Sequence, residues 1–413
     1  MSRGASASVV QARVERLFYA LAACALALWG LWFVHSLVLE LQRHVFLRGY
    51  EGDQWFVSYE HGFVRRGLPG EVLALFGAVD SHRVQIAGWT ITFAALIAVT
   101  WLIGLVVLRH TRPQDRVVVV ALCLVSPMGL GAISRTPDRY DDIGIALLLA
   151  TVLVARSRRL SVGAKGAALV AVTAAAAASE EFLLLLLVPL VWRIVGSGSS
   201  QTASLRGQIR RTATVCTPAF VIVAMSVAIR PSAAWLNTIQ AKVRLPMDHL
   251  TAATVLHLSA LEQLRFSYDY SGGARYTALT IAVWLLVFVT SVGAIAVWLR
   301  LSRRAIVESA VVAGGAAFAL NVVFLDACRW WALAFAAFLA QLALTPHSDV
   351  SVRSSRVRLA AGAVGLVVAV VALQLPLTTM HPGDFGGGYW ASLWEAWIPG
   401  PNGTYARWLH AFG

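Results

Sequence analysis

The sequence predicts an all-α, polytopic transmembrane helix bundle of about eleven hydrophobic segments, and three observations carry that expectation. Of its 413 residues, 58% are hydrophobic and 13% charged, with a mean hydropathy of +0.69. That leaves too little polar surface to coat a water-soluble globule. Apolar runs approaching the roughly 20 residues that a helix needs to cross a hydrocarbon core recur along the chain. Arginines come in short clusters in every second gap between the runs, as orientation signals do.

The first run, 17–39, follows Arg3, Arg13 and Arg16. It is too long for a signal-peptide core and no small-residue cleavage site closes it, so it reads as a retained first span. Runs at 85–108, 117–134 and 140–155 follow. Two shorter runs, 167–178 and 182–195, flank Ser179-Glu180-Glu181. Joined into one helix, they would put both glutamates near the bilayer centre at about 2.5–3.5 kcal/mol each, and would carry Arg206, Arg210 and Arg211 to the opposite side. A short, tilted or re-entrant helical pair near 167–195 avoids both costs. The remaining runs are 212–229, 277–299, 305–325, 330–346 and 359–376.

With that count, the clusters around Arg3, Arg109, Arg156, Arg193 to Arg211, Arg300 and Arg353 all share one side. The positive-inside rule makes that side cytoplasmic, with the N-terminus inside and the C-terminus outside. Residues 1–376 form a multi-span membrane domain with outer loops at 40–84 and 230–276, and 377–413 is an outer, aromatic-rich tail. Trp235, Leu236, Ile239 and Val243 suit an amphipathic helix lying on the membrane. Tyr389, Trp390, Leu393, Trp394 and Trp397 suit an interfacial aromatic belt.

The net charge of +13 does not imply nucleic acid, because the arginines punctuate apolar runs instead of forming a patch. The four cysteines, Cys24, Cys123, Cys216 and Cys328, are too scattered for a disulfide framework or zinc site. His44, His61, His249, His257 and His381 lack metal-ligand spacing. No metal or other cofactor is expected.

Topology requires arginines but places no demand on acids, and nearly all Asp and Glu fall on the expected outer side. The first outer loop holds Glu51, Asp53 and Glu60, then Arg65-Arg66-Gly67-Leu68-Pro69-Gly70. Gly and Pro permit tight turns there. A carboxylate can take the proton of an attacking hydroxyl, and paired arginines can hold phosphate oxygens. The same groups could equally pair with each other in a solvated loop. In Arg135-Thr136-Pro137-Asp138-Arg139-Tyr140-Asp141-Asp142, Thr136 has the character of an N-cap and Pro137 of a first helical residue. Asp138, Asp141 and Asp142 then share a helix face, either as complements to the helix dipole or around a bound cation, Arg or ligand. Ser179 could cap a helix with Glu180 and Glu181 in its first turn, or the pair could line a cavity. Asp326 and Arg329 suit a local salt bridge beside an interfacial Trp330-Trp331 pair, or a further charged contact for substrate.

This layout resembles the C-type glycosyltransferases, multi-span enzymes that take a sugar from a polyprenyl-phosphate carrier at the outer face of the membrane. In that superfamily the first outer loop carries an essential acid, and Asp53 stands at the matching place with Glu51 two residues before it. The spacing Glu51-Gly52-Asp53 departs from an adjacent acidic pair, so either acid can be the base. Gly62-Phe63-Val64-Arg65-Arg66-Gly67-Leu68 also resembles uncharacterised bacterial membrane proteins associated with surface-polysaccharide synthesis.

The resemblance implies a bacterial cytoplasmic membrane location, a lipid-linked sugar donor, and a glycan or lipid acceptor. Asp53 or Glu51 would be the base, and Arg65 and Arg66, with Arg135 or Arg329, would hold the departing phosphate. Asp138, Arg139, Asp141, Asp142, Glu180, Glu181 and Asp326 complete the candidate substrate-binding set. A polysaccharide polymerase or ligase, in which arginines are decisive, and a transporter or flippase, which would favour paired broken helices, are the competing readings.

Overall fold

A computed structural model describes residues 3–43, 54–59, 66–77, 79, 81–135, 140–197, 204–229, 274–323, 327–346 and 354–372, with the isolated positions 237, 262 and 265. These residues form α1 (Arg3–Arg43), α2 (Leu68–Ala74), α3 (Ser81–His110), α4 (Arg116–Val125), α5 (Leu130–Arg135), α6 (Tyr140–Arg156) and α7 (Val162–Ser179). After them come α8 (Leu184–Ser197), α9 (Leu205–Ala228), α10 (Ala274–Trp298), α11 (Arg303–Val323), α12 (Ala327–Leu344) and α13 (Ser355–Ala372). Short 3-10 turns stand at Gln54–Phe56, Pro113–Asp115 and Glu181–Leu183, and no strand occurs among the described residues. The protein is an all-α polytopic membrane protein. The loop 230–276, apart from isolated positions, and the tail 377–413 lie outside the described residues.

Among the described residues, eight stretches are long and apolar enough to cross a membrane. The expected runs that fall short of that length are α6 with 17 residues, α8 with 14, and Arg329–Leu344 of α12. Of the pair near 167–195, only the second member is short. α7 begins earlier than its apolar run because the Ser161 hydroxyl accepts the Ala164 N–H at 3.2 Å, and the helix reaches 18 residues. The run 117–134 is two helices, α4 and α5. Pro127 forces Ser126 into an extended conformation (φ −54°, ψ 130°), which ends α4.

Helix α12 is the centre of the bundle. Every residue from Trp330 to Ala343 is buried, and the helix packs against α3, α5, α6, α8, α10 and α11. A helix that is apolar on all sides belongs in a core. Trp330 and Trp331, which the sequence suggests as an interfacial pair, are both buried within the bundle, and Trp331 lies 5.1 Å from the Phe288 ring. Leu28 and Leu31 of α1, Phe220 and Val227 of α9, and Val367 and Val371 of α13 face outward, as a lipid-facing perimeter requires.

Polar contacts gather the helix ends into two opposite sets. At the arginine-rich end, Asp115 accepts from the Tyr19 hydroxyl at 2.7 Å and from Arg358 Nη1 at 3.0 Å. The Arg358 guanidinium also lies 5.1 Å from the centre of the Trp298 ring. Arg193 Nη1 donates to Gln341 O at 2.8 Å, Thr345 Oγ1 at 3.0 Å and Ser309 Oγ at 3.1 Å, tying α8 to α11 and α12. His110 Nε2 lies 3.1 Å from Leu342 O. Asp141, Asp142, Glu180 and Glu181 collect at the other end.

A buried charged cluster at the acidic end

The cluster is assembled from the starts and breaks of helices, where backbone groups are unsatisfied and charged side chains are tolerated. At the start of α6, the Tyr140 hydroxyl donates to the Gln54 carbonyl, and its ring meets Trp55 edge-on at 5.1 Å. This pins the Gln54–Phe56 turn against the bundle. Gly70 pins α2 to the same segment, because a Cβ there would stand 2.1 Å from Val57 O. In the first turn of α2, Glu71 accepts the Tyr59 N–H at 2.9 Å. Burial, then the charge of Glu71, raises the Tyr59 phenol above its ordinary pKa and keeps it protonated.

Asp141 and Asp142 occupy the first turn of α6, where the helix dipole favours negative charge. Asp142 accepts from the Thr92 hydroxyl of α3 at 2.8 Å, and Asp141 forms an ion pair with Arg329 at the start of α12. Between α7 and the following 3-10 turn, Glu180 is extended (φ −157°, ψ 107°) and occupies the N-cap position of that turn without a side-chain capping bond. The expected Ser179 cap is not what forms the break. The Glu180 carboxylate instead turns to two arginines: Arg66 Nη2 at 2.8 Å and Arg329 Nη2 at 3.7 Å. Arg66 also meets Glu181, through Nε and Nη2 at 3.3 Å each.

The aromatic rings beneath complete the geometry. The Arg66 guanidinium lies 5.7 Å from the Phe182 ring centre and that of Arg329 4.6 Å from Trp330, while the two rings meet edge-on at 6.2 Å. Each guanidinium is thus held by carboxylates and by a ring face. Arg66 adopts a left-handed backbone conformation, φ 61°, which costs a non-glycine residue about 1–2 kcal/mol. The ion pairs with Glu180 and Glu181 offset that strain.

Glu180 is fully buried, and Arg66, Asp141, Asp142 and Glu181 are all at least nine-tenths buried. Three of the four carboxylates pair with the two guanidinium groups and Asp142 bonds to Thr92, a formal charge of −2 for these six residues. Each buried ion costs several kcal/mol of desolvation, which pairing repays only when the geometry is good. Among the described residues, no three or more His, Cys, Asp or Glu side chains are placed to hold a metal ion.

Five of the sequence candidates are therefore joined by ion pairs, Arg66, Asp141, Glu180, Glu181 and Arg329, with Asp142 next to Asp141 in the same helix turn. Glu51, Asp53, Arg65, Asp138, Arg139 and Asp326 lie outside the described residues, as does the side chain of Arg135. Arg329 reaches across to α6 and to the α7 break, beyond the local partner Asp326 that the sequence suggested. Thr92, Gln54, Tyr140 and Phe182 support the cluster and were not among the candidates. Thr92 sits in an apolar run that also holds Thr90 and Thr100, and no local signal separates it from them.

A family model described as "Uncharacterised membrane protein Rv1490" matches residues 19–234, just over half of the chain. The chain belongs to this family. The matched region includes Arg66, Asp141, Asp142, Glu180 and Glu181, while Arg329 lies beyond it. No curated protein matches the chain, and no solved structure matches it. Family membership carries membrane character and no activity.

Proposed function

We propose that the protein is a membrane glycosyltransferase that moves a sugar from a polyprenyl-phosphate carrier to a glycan or lipid acceptor. It would act at the outer face of a bacterial cytoplasmic membrane, with the N-terminus inside and the C-terminus outside. The observation supporting this reading is the buried cluster of two arginines and four carboxylates at the acidic end. A bundle that needed only orientation signals would have no reason to bear the cost of burying those acids.

The reaction is a displacement at the anomeric carbon. The acceptor hydroxyl attacks and gives its proton to Asp53, or to Glu51, as the bond to the carrier phosphate breaks. Positive charge developing on the sugar ring is favoured by the nearby carboxylates Asp141, Glu180 and Glu181. Negative charge on the departing polyprenyl phosphate is taken up by Arg65 and Arg66, with Arg135 or Arg329 as further contacts. Glu180 and Glu181 orient the Arg66 fork, and the Tyr140 bond anchors Gln54, next in the chain to Asp53.

The test is transfer from a polyprenyl-phosphate-sugar donor by purified protein in nanodiscs. Removal of a positioned base costs about 10²–10⁴ in rate, so Asp53→Asn is expected to bind donor and barely transfer, with Glu51→Gln as the paired control. Full activity of both variants would remove the mechanism. A transport reading draws on the extended break at Glu180 beside buried charges. Movement of intact donor across the bilayer without loss of its sugar would decide for it.

A further inference from the structure

An apolar groove of about 530 Å³ runs between α10 and α11, away from the charged cluster. Its volume is in the range of small-ligand sites, about 300–1,000 Å³. Phe288, Val292 and Ile306 form a buried floor, and Val289, Val307, Val311 and Phe318 form exposed rims. Along α11 it extends from Arg303 to Phe318, roughly 22 Å at 1.5 Å per residue. That spans more than one leaflet of a hydrocarbon core about 30 Å thick.

Two glycines open this groove. Glycine weakens a helix interior, and in membrane helices small residues usually repay that by letting helices touch. Gly314 fits that pattern, since a Cβ there would stand 2.9 Å from the Phe288 ring. Gly293 and Gly315 do not, because a Cβ at either would meet nothing within 4 Å. Their lack of a side chain creates space and makes no contact.

Charge at one mouth says what fills the space. Arg303 lines the groove, is exposed, and makes no ion pair or hydrogen bond with a described residue. Its neighbour Arg304 is committed to Glu308 at 2.6 Å. A chain-shaped apolar slot that ends at an uncommitted guanidinium matches an acyl chain joined to a phosphodiester.

We propose that the α10–α11 groove is a binding site for an anionic phospholipid, with one acyl chain along Gly293 and Gly315 and the phosphate at Arg303. The site is separate from the charged cluster and does not depend on the activity proposed for it. Full-length protein, purified in detergent and mixed with phosphatidylglycerol or phosphatidylcholine, is assayed by native mass spectrometry for retained lipid. The wild type is expected to retain phosphatidylglycerol preferentially. Arg303→Gln, an exposed change that leaves packing intact, is expected to lower that retention about tenfold or more. Gly293→Leu with Gly315→Leu is expected to exclude the chain altogether. Equal retention of the two lipids by the wild type, or undiminished phosphatidylglycerol on Arg303→Gln, would overturn the proposal. Displacement of phosphatidylglycerol by a lower concentration of polyprenyl phosphate would also overturn it and assign the groove to the carrier. A wild-type dimer dissociated by the glycine substitutions would overturn it in favour of a second copy.

Discussion

Replacing Arg329 with Met keeps the apolar stem and removes only the guanidinium, leaving Asp141 without its arginine in a buried site while Glu180 keeps Arg66. Removing one partner of a buried pair costs about 3–5 kcal/mol, because the remaining charge stays desolvated. The lost contact over Trp330, at 4.6 Å, adds up to about 2 kcal/mol. Total stabilities are on the order of 5–15 kcal/mol, so a loss of this size is a large fraction of the whole. Equilibrium unfolding by SDS in mixed micelles, followed by circular dichroism, measures it without reference to activity. Adding Asp141→Asn to Arg329→Met is expected to recover about 2 kcal/mol or more, since the double variant no longer buries the orphaned Asp141 charge. If Arg329→Met unfolded within about 0.5 kcal/mol of the wild type, or if Asp141→Asn recovered nothing, the ion-pair account of the cluster would be refuted.

Three further outcomes are expected. Gly70→Val forces a side chain onto Val57 O and should free the Gln54–Val57 segment, seen as faster trypsin cleavage after the otherwise buried Arg66; an unchanged rate would contradict that packing. At the other end, Asp115→Asn breaks the buried pair with Arg358 and should cost about 3–5 kcal/mol, whereas Tyr19→Phe, which loses one hydrogen bond to a charged group, should cost about 1.5–3 kcal/mol; the reverse order in unfolding would reject the Asp115–Arg358 pair as the main contact. For orientation, an external reporter should be active after Gly413 and a cytoplasmic one after Arg211, and cytoplasmic activity at Gly413 would overturn the assigned topology.

Most of the helix framework was legible because it depends on composition and period. A run such as 85–108 has no alternative to a helix in a bilayer, where each backbone group must be paired internally. The break at Glu180 was legible for the same reason, since two glutamates in a continuous span would cost too much. What was not legible is which helix lies in the middle. The 330–346 run opens with Arg329-Trp330-Trp331, an ordinary interfacial signature, and only the burial of every residue from Trp330 to Ala343 shows that it is the core. The Pro127 break divides a run that hydropathy joins, because hydropathy does not register the conformational limit proline puts on Ser126.

The charged cluster exposes a different limit. Sequence proximity suggests Asp326 as a partner for Arg329 and loop acids for Arg66; among the described residues, their contacts are with Asp141, Glu180 and Glu181, which are distant in the chain. Composition makes buried acids noteworthy, and helix-start positions say where they can be tolerated, but the identity of each partner is a property of packing. The arginines show the same division. As orientation signals they are read by count alone, and in the fold Arg193 and Arg358 also bind backbone and carboxylate at helix ends. Arg66 and Arg329 stand outside that orienting set and at the opposite end of the bundle. Neither is needed for topology, and each is held by acids that topology does not need either, so insertion alone does not account for the cluster.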